Sequence, residues 1–228
     1  MVQLTDAEHA AVFSFLEDVN ASYPRMEQAA LTALQQHFHF SLTAYVVYRY
    51  GADGRYRVER VRSDAVPQDD LSRYKSVYFR SDPMWGDVDA RQNADASAVF
   101  YYEHEETAAA ADGYDAFCAK NQLSHEAVLG LHSPLYATGH LLKVFKTREQ
   151  GPFTEHECAL LAEINNAYRL TKKLYTNYVL HLRREKAISA FMDEAMAGCA
   201  VLDESQRLMW HNGAFVSLSA AFSAATAP

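Results

Sequence analysis

The chain has 228 residues with 49% hydrophobic and 22% charged positions and only nine Gly and six Pro. That is the makeup of a folded domain of ordinary composition, and it excludes a collagen-like, low-complexity or globally disordered polypeptide. Lys and Arg number 21 against 29 Asp and Glu, a formal net charge of -8, so the chain carries no global electrostatic footprint for nucleic acid.

Thr5-Asp6-Ala7-Glu8 is a capping box, and it predicts a first helix with Phe13, Leu16 and Val19 on its apolar face. The N-terminus carries acids where an export signal carries basic residues, and no later run approaches ~18 uninterrupted apolar residues. A second helix follows Ser22-Tyr23-Pro24, with Met26, Ala30, Leu34 and Phe38 as its stripe. Residues 42–50 are β-branched and aromatic, Gly51-Ala52-Asp53-Gly54 is a turn, and 56–62 resumes an extended pattern, which reads as a hairpin. A helical excursion over 69–80 should end before Asp82-Pro83, because proline disfavours helical geometry at the residue before it. A strand at 97–102, a helix at 107–121 and strands at 127–135 and 141–146 follow.

Thr154, with Glu157 three residues on, opens the longest periodic segment, to about Arg184. Leu161, Ile164, Tyr168, Thr171, Tyr175, Tyr178 and Leu182 alternate spacings of three and four, the seam of a coiled coil over about three heptads. Leu160, Leu170 and Leu174 broaden it, so the helix either covers its own sheet or also pairs with a second subunit. We expect a homodimer, with Leu161, Ile164, Tyr168, Tyr175, Tyr178 and Leu182 at its interface. The tail from Ala187 mixes helical and strand signals, with strands at 198–202 and 207–210 and disorder expected after about Ser219. About thirty residues of mixed signal bury too little to stand alone, so residues 185–228 read as an incomplete unit or a linker, apart from a domain over 1–184.

Chemistry-bearing residues are few. Tyr74, Tyr78, Phe79, Asp82, Pro83, Met84, Trp85 and Gly86 gather aromatic edges around one carboxylate, so this segment either lines an apolar ligand pocket or plugs the interior with Asp82 capping a turn. As a pocket its ligand residues are Tyr74, Tyr78, Asp82 and Trp85, with Tyr45 and Tyr101 added from adjoining strands. Ten histidines include His37-x-His39, His104 among Glu103, Glu105 and Glu106, and the pair His132 and His140, but none forms a quartet with zinc-site spacing, so we assign no metal. Cys118, Cys158 and Cys199 are widely spaced and read as small buried hydrophobes in a reducing, cytoplasmic setting. The basic residues cluster late, as Lys143, Lys146 and Arg148, then Arg169, Lys172 and Lys173, then Arg183, Arg184 and Lys186; helical spacing makes the latter groups a solvated face opposite the apolar seam, with direct DNA contact the alternative. No phosphate loop, nucleophile elbow or HExxH motif is present, and no acid, base and nucleophile set emerges, so we expect neither an enzyme nor a cofactor.

The helix pair, the Tyr-rich first strand, the Asp-Pro segment and a strand pair closed by Gly151-Pro152-Phe153-Thr154-Glu155-His156-Glu157 with Leu160-Leu161 together resemble a GAF domain over about residues 1–180. The tail from Met196 to Asp203, followed by Arg207-Leu208-Met209-Trp210-His211-Asn212, looks like the opening of a PAS-type unit. A GAF sensor followed by such a fragment is similar to the N-terminal part of bacterial LuxR-type transcription regulators. The resemblance implies an α+β fold, with an antiparallel sheet of about six strands, helices on both faces and a long C-terminal helix. It also implies an effector pocket on one face of the sheet, homodimerisation through terminal helices, and DNA contact only through a C-terminal helix-turn-helix domain not visible here. Tyr74-x3-Tyr78 and Asp82-Pro83 are reminiscent of the acyl-homoserine lactone site of some LuxR-type sensors. Tyr stands here in place of Trp and Asp82 follows Tyr78 too closely, so that effector is not adopted and the small molecule stays unidentified. Each cysteine precedes Ala, where bilin-binding relatives favour His, and the three are not clustered as in sulfoxide-reducing GAF enzymes. The expected role is a ligand-sensing, dimerising regulatory domain; the alternatives are a GAF sensor of a kinase or cyclic-nucleotide enzyme, or a free-standing GAF-type enzyme.

Overall fold

The computed structural model describes residues 2–22, 26–51, 55–86, 99–104, 113–131, 138–194 and 197–225. It divides into two compact units, residues 1–172 and 173–228. The division falls inside the long helix, N-terminal to the boundary expected between residues 184 and 185.

The first unit is built on a five-stranded antiparallel sheet in the order β2-β1-β5-β4-β3. Its strands are β1 (Leu42–Tyr50), β2 (Tyr56–Ser63), β3 (Val99–Glu103), β4 (His125–Leu131) and β5 (Thr138–Lys146). That is one fewer than the six expected, among the described residues. Residues 132–137, with His132, lie outside them.

Strand alternation sends β1 and β5 residues to two apolar environments. Ala44, Val46 and Tyr48 face one way with Val128, Leu141 and Phe145, under α3 (Gln68–Ser76), a 3-10 turn (Tyr78–Ser81) and α4 (Tyr114–Lys120). Tyr45 faces the other way, where the hydroxyls of Tyr45 and Tyr168 lie 3.3 Å apart and Phe15 packs on Tyr168 at 5.8 Å between ring centroids. Helices α1 (Asp6–Ala21), α2 (Met26–Phe38) and the start of α5 (Glu155–Glu194) belong to that second layer.

Helix α1 starts at the expected capping box, with Glu8 N–H donating to Thr5 Oγ1 and Thr5 N–H to the Glu8 carboxylate. Its buried stripe is Val12, Phe15 and Val19. Phe13 is 69% exposed, because the face that meets the sheet lies one residue round the helix from the one the spacing suggested. A second capping box joins Thr154 and Glu157, and His156 reaches the Glu8 carboxylate, tying the starts of α1 and α5 together.

Helix α5 runs for 40 residues. Leu161, Ile164 and Tyr168, assigned to a subunit interface by the heptad pattern, are fully buried within the first unit. They cover the chain's own sheet, for a three-four seam is equally the stripe a cover helix needs. In the second unit Tyr178 and Leu182 are exposed; the side chain of Tyr175 lies outside those described.

The second unit holds a hairpin of β6 (Ala200–Leu202) and β7 (Leu208–His211) and the helix α6 (Gly213–Ala225). Asn212 organises it: its Oδ1 accepts from Cys199 N–H and Phe215 N–H, and its Nδ2 donates to the carbonyls of Met192 and Ala197. The helix continues past Ser219, where disorder was expected. Asn212 supplies an N-terminal cap, and the Ala-rich run carries little conformational cost in a helix. Among the described residues no helix is long and apolar enough to cross a membrane.

Candidate functional site

Lys143 lies on the middle strand of the sheet, opposite Ala44 on one side and Val128 on the other, between Leu141 and Phe145 on the same face. Alternation thus drives a lysine into an apolar layer, and it is 1% exposed. Such a charge persists only if it is paired and hydrogen-bonded. Its Nζ donates to Asp82 Oδ2 at 2.6 Å and to the Tyr114 hydroxyl at 3.1 Å. It also lies 2.7 Å from Glu126 Oε1, an ion contact whose angle falls short of a hydrogen bond.

The carboxylates are equally well supplied. Asp82 follows the 3-10 turn and caps the next one by accepting Met84 N–H at 3.1 Å, while Tyr74 OH donates to its Oδ2 at 2.7 Å. Glu126, two residues before Val128 on β4, is diagonal to Lys143 across the ladder. Its Oε2 accepts from Tyr114 OH at 3.0 Å and lies 2.9 Å from His104 Nε2. His104 follows β3, and its Nδ1 lies 3.3 Å from Asp115 Oδ1 at the start of α4. The cluster therefore ties α3, the Asp82 turn and α4 to the sheet through side chains alone.

Burial drags the Lys143 ammonium downward, but the two carboxylates outweigh it and hold its pKa above the usual lysine value. Burial raises Asp82 above its ordinary value, Lys143 pulling against it and Glu126 adding to it. Glu126 is pushed up by burial too, yet Lys143 and His104 together bring it below the ordinary value. Burial lifts the Tyr74 and Tyr114 phenols and the Cys118 thiol well out of the neutral range. These three groups are neutral at pH 7 and are poor nucleophiles as they stand.

Around the ions stands an aromatic wall. Trp85 stacks on Tyr56 at 4.7 Å and meets Tyr48 edge-on at 5.1 Å, while its indole N–H donates to the Phe79 carbonyl. Tyr114 stacks on Phe117, which Tyr74 and Tyr78 also touch. A cavity of about 10 Å³ remains, lined among others by Ala44, Val46, Leu71, Tyr74, Tyr114 and Lys143. That is about the room of one water molecule.

Of the residues assigned to the pocket, the structure brings Tyr74, Tyr78 and Trp85 together on this face, with Asp82 bonded to Tyr74. Tyr45 and Tyr101 stand apart from them. Tyr45 faces the opposite layer, with His140 Nδ1 at 3.3 Å from its hydroxyl, and Tyr101 is exposed, packs on Phe153 and donates to the Cys158 carbonyl. A shift of one position along a strand changes the face, and the strand reading did not fix which parity faced which layer. Glu126 and Tyr114 escaped sequence reasoning, and Lys143 and His104 were weighed there only as a late basic residue and as a candidate metal ligand. A Lys between Leu-Leu and Val-Phe in an apolar strand was the signal available, since alternation obliges one face of such a strand to bury it. Cys118 is buried and all three cysteines are free thiols. Among the described residues no three or more His, Cys, Asp or Glu side chains are placed to hold a metal ion.

No protein-family profile matches the chain. No curated protein matches it by sequence. Among solved structures, the N-acylhomoserine lactone-dependent LuxR-family transcription factor CepR2 from Burkholderia cenocepacia is similar at a TM-score of 0.52 and 13% identity, covering 71% of this chain and 93% of that one. The GAF domain of a two-component sensor histidine kinase from Bacillus halodurans gives 0.38 and 11%, over 75% and 96% of the two chains. The phycocyanobilin-bound GAF domain of a cyanobacterial phytochrome gives 0.44 and 10%, over 79% and 99%. The likeness to CepR2 is one of overall fold, which in this chain is α+β with a five-stranded antiparallel sheet.

Proposed function

We propose that this chain is the effector-sensing and dimerising part of a LuxR-type transcription regulator, acting in the cytoplasm and without catalytic activity of its own. The observation that carries the reading is the ionic cluster under an aromatic cover on one sheet face, in a fold shared with a lactone-dependent LuxR-family factor. A sensor needs a face that can exist closed or open, and here the cover is held to the sheet by side chains that a polar ligand can replace. The effector is a small, mostly apolar molecule with one or two hydrogen-bonding groups. Because the cavity of about 10 Å³ admits no such molecule, binding selects a state in which α3 and α4 stand away from the sheet. The exposed Tyr178 and Leu182 of α5 give the dimer contact, and contact with DNA belongs to a separate helix-turn-helix domain.

The test is a thermal-shift and Trp-fluorescence screen of metabolites on the whole chain. Under this reading at least one raises the unfolding temperature, because a ligand bound only by the native state stabilises it by mass action. Trp85→Ala and Tyr78→Ala both weaken that effect. A screen whose hits are indifferent to both substitutions refutes the assignment.

A further inference from the structure

His104 is the one member of the cluster with a carboxylate at each end of its ring. Its side chain is 3% exposed, with Glu126 Oε2 at 2.9 Å from Nε2 and Asp115 Oδ1 at 3.3 Å from Nδ1. A neutral imidazole has one N–H and one lone pair, so it satisfies one of these contacts and turns a lone pair toward the other carboxylate. Only the imidazolium donates to both. The two contacts also join different layers, for Glu126 belongs to the sheet and Asp115 to α4.

We propose that His104 is a proton-operated latch, in which the imidazolium clasps α4 to the sheet through Asp115 and Glu126, and loss of its proton frees α4 and opens the cover. Charge counting gives the same result as geometry. With His104 protonated, two cations, Lys143 and His104, balance two buried carboxylates, Asp82 and Glu126. Without that proton, Lys143 alone faces both of them among buried side chains, and an unbalanced buried charge is strongly unfavourable.

The groups facing His104, among the described residues, are Asp115 and Tyr114 from α4, Glu126 from β4 and Lys143 from β5. The Tyr114 ring stands edge-on at 5.3 Å. The neighbouring Glu103 lies instead 3.8 Å from His125 Nδ1. Burial lowers the His104 pKa and Lys143 opposes its charge, but the hydrogen bond and charge of Glu126, with Asp115 behind them, raise it above 6.5 in net. The sign follows: the latch is fully closed below the free-histidine value and is lost as pH rises through the folded one. As regulation of the site this rests on the sensor reading; as a property of the chain it stands without any effector.

The experiment is a pH titration of the whole, ligand-free chain labelled with 15N-histidine, alongside amide hydrogen exchange of Tyr114–Lys120. The expected result is a His104 ring protonated on both nitrogens at pH 6, with a midpoint above 6.5. Exchange in α4, corrected for its intrinsic pH dependence, should speed up severalfold across that midpoint. His104→Gln should abolish the step. Should it not fold, Asp115→Asn, which removes only the exposed partner, should keep the fold and lower the midpoint. A neutral His104 tautomer at pH 6, or an exchange step that survives His104→Gln or is unmoved by Asp115→Asn, overturns the latch. The metabolite screen has its own readout, so either idea can fail alone.

Discussion

Replacing Lys143 by Met tests the cluster most directly. The substitution keeps the length and apolar stem of the side chain and deletes the ammonium, leaving Asp82 and Glu126 buried at 3% and 0% exposure without their common cation. Removing one partner of a buried ion pair costs ~3–5 kcal/mol. That is a third or more of the stability of many domains, which lies at roughly 5–15 kcal/mol. For a unit of this size each kcal/mol moves the midpoint by roughly 2–4 °C, so Lys143→Met should melt about 6–20 °C lower. Urea unfolding followed by circular dichroism at pH 7 measures the loss. The companion variant, Lys143→Met with Asp82→Asn, should recover part of it, because a neutral amide is cheaper to leave buried than a carboxylate. A loss below about 1 kcal/mol in the single variant would show that water reaches the cluster and that its charges are not desolvated.

Gly139 lies against the Tyr48 ring, which occupies the space a Cβ would need; Gly139→Ala should cost about 1–3 kcal/mol through overpacking, and an unchanged urea midpoint would refute that contact. Sedimentation at tens of micromolar should find a dimer that Tyr178→Glu dissociates, whereas Tyr168→Phe should lower stability by ~1 kcal/mol through its bond to Tyr45 and leave the dimer intact. On the acid side, the Thr5 backbone N–H and His156 hold Glu8 down to about 2. Burial pushes Glu157 up, but the Thr154 N–H and Lys146 outweigh it and hold it below 4.5. Depressed carboxylates stabilise above their unfolded pKa, so this stability is present above pH 4.5 and drains away as pH falls through the folded values. Glu157→Gln should therefore flatten the acid limb of a urea-midpoint profile, and a limb of unchanged slope would exclude Glu157 from it.

Much of the architecture was legible because it is written in local rules. Both capping boxes formed where Thr and Glu stood three residues apart, and β1 and β2 paired as the expected antiparallel neighbours. The gathering of Tyr74, Tyr78, Asp82 and Trp85 was also readable, because a single short segment carries all four. What stayed hidden depends on which face of an element turns inward, and periodicity does not decide that. Phe13 and Phe15 are both apolar, and only docking on the sheet selects Phe15; Tyr45 and Val46 are neighbours that serve opposite layers. The seam of α5 fits a partner helix or the chain's own sheet equally well, and tertiary packing turned Leu161, Ile164 and Tyr168 inward. The cluster lay furthest from view. Lys143, Glu126, His104, Asp82 and Tyr114 come from five separate places in the chain, and nothing local in the sequence joins them. Only the pairing of β4 with β5, and the closing of α4 over them, brings their charges within hydrogen-bonding distance among buried side chains.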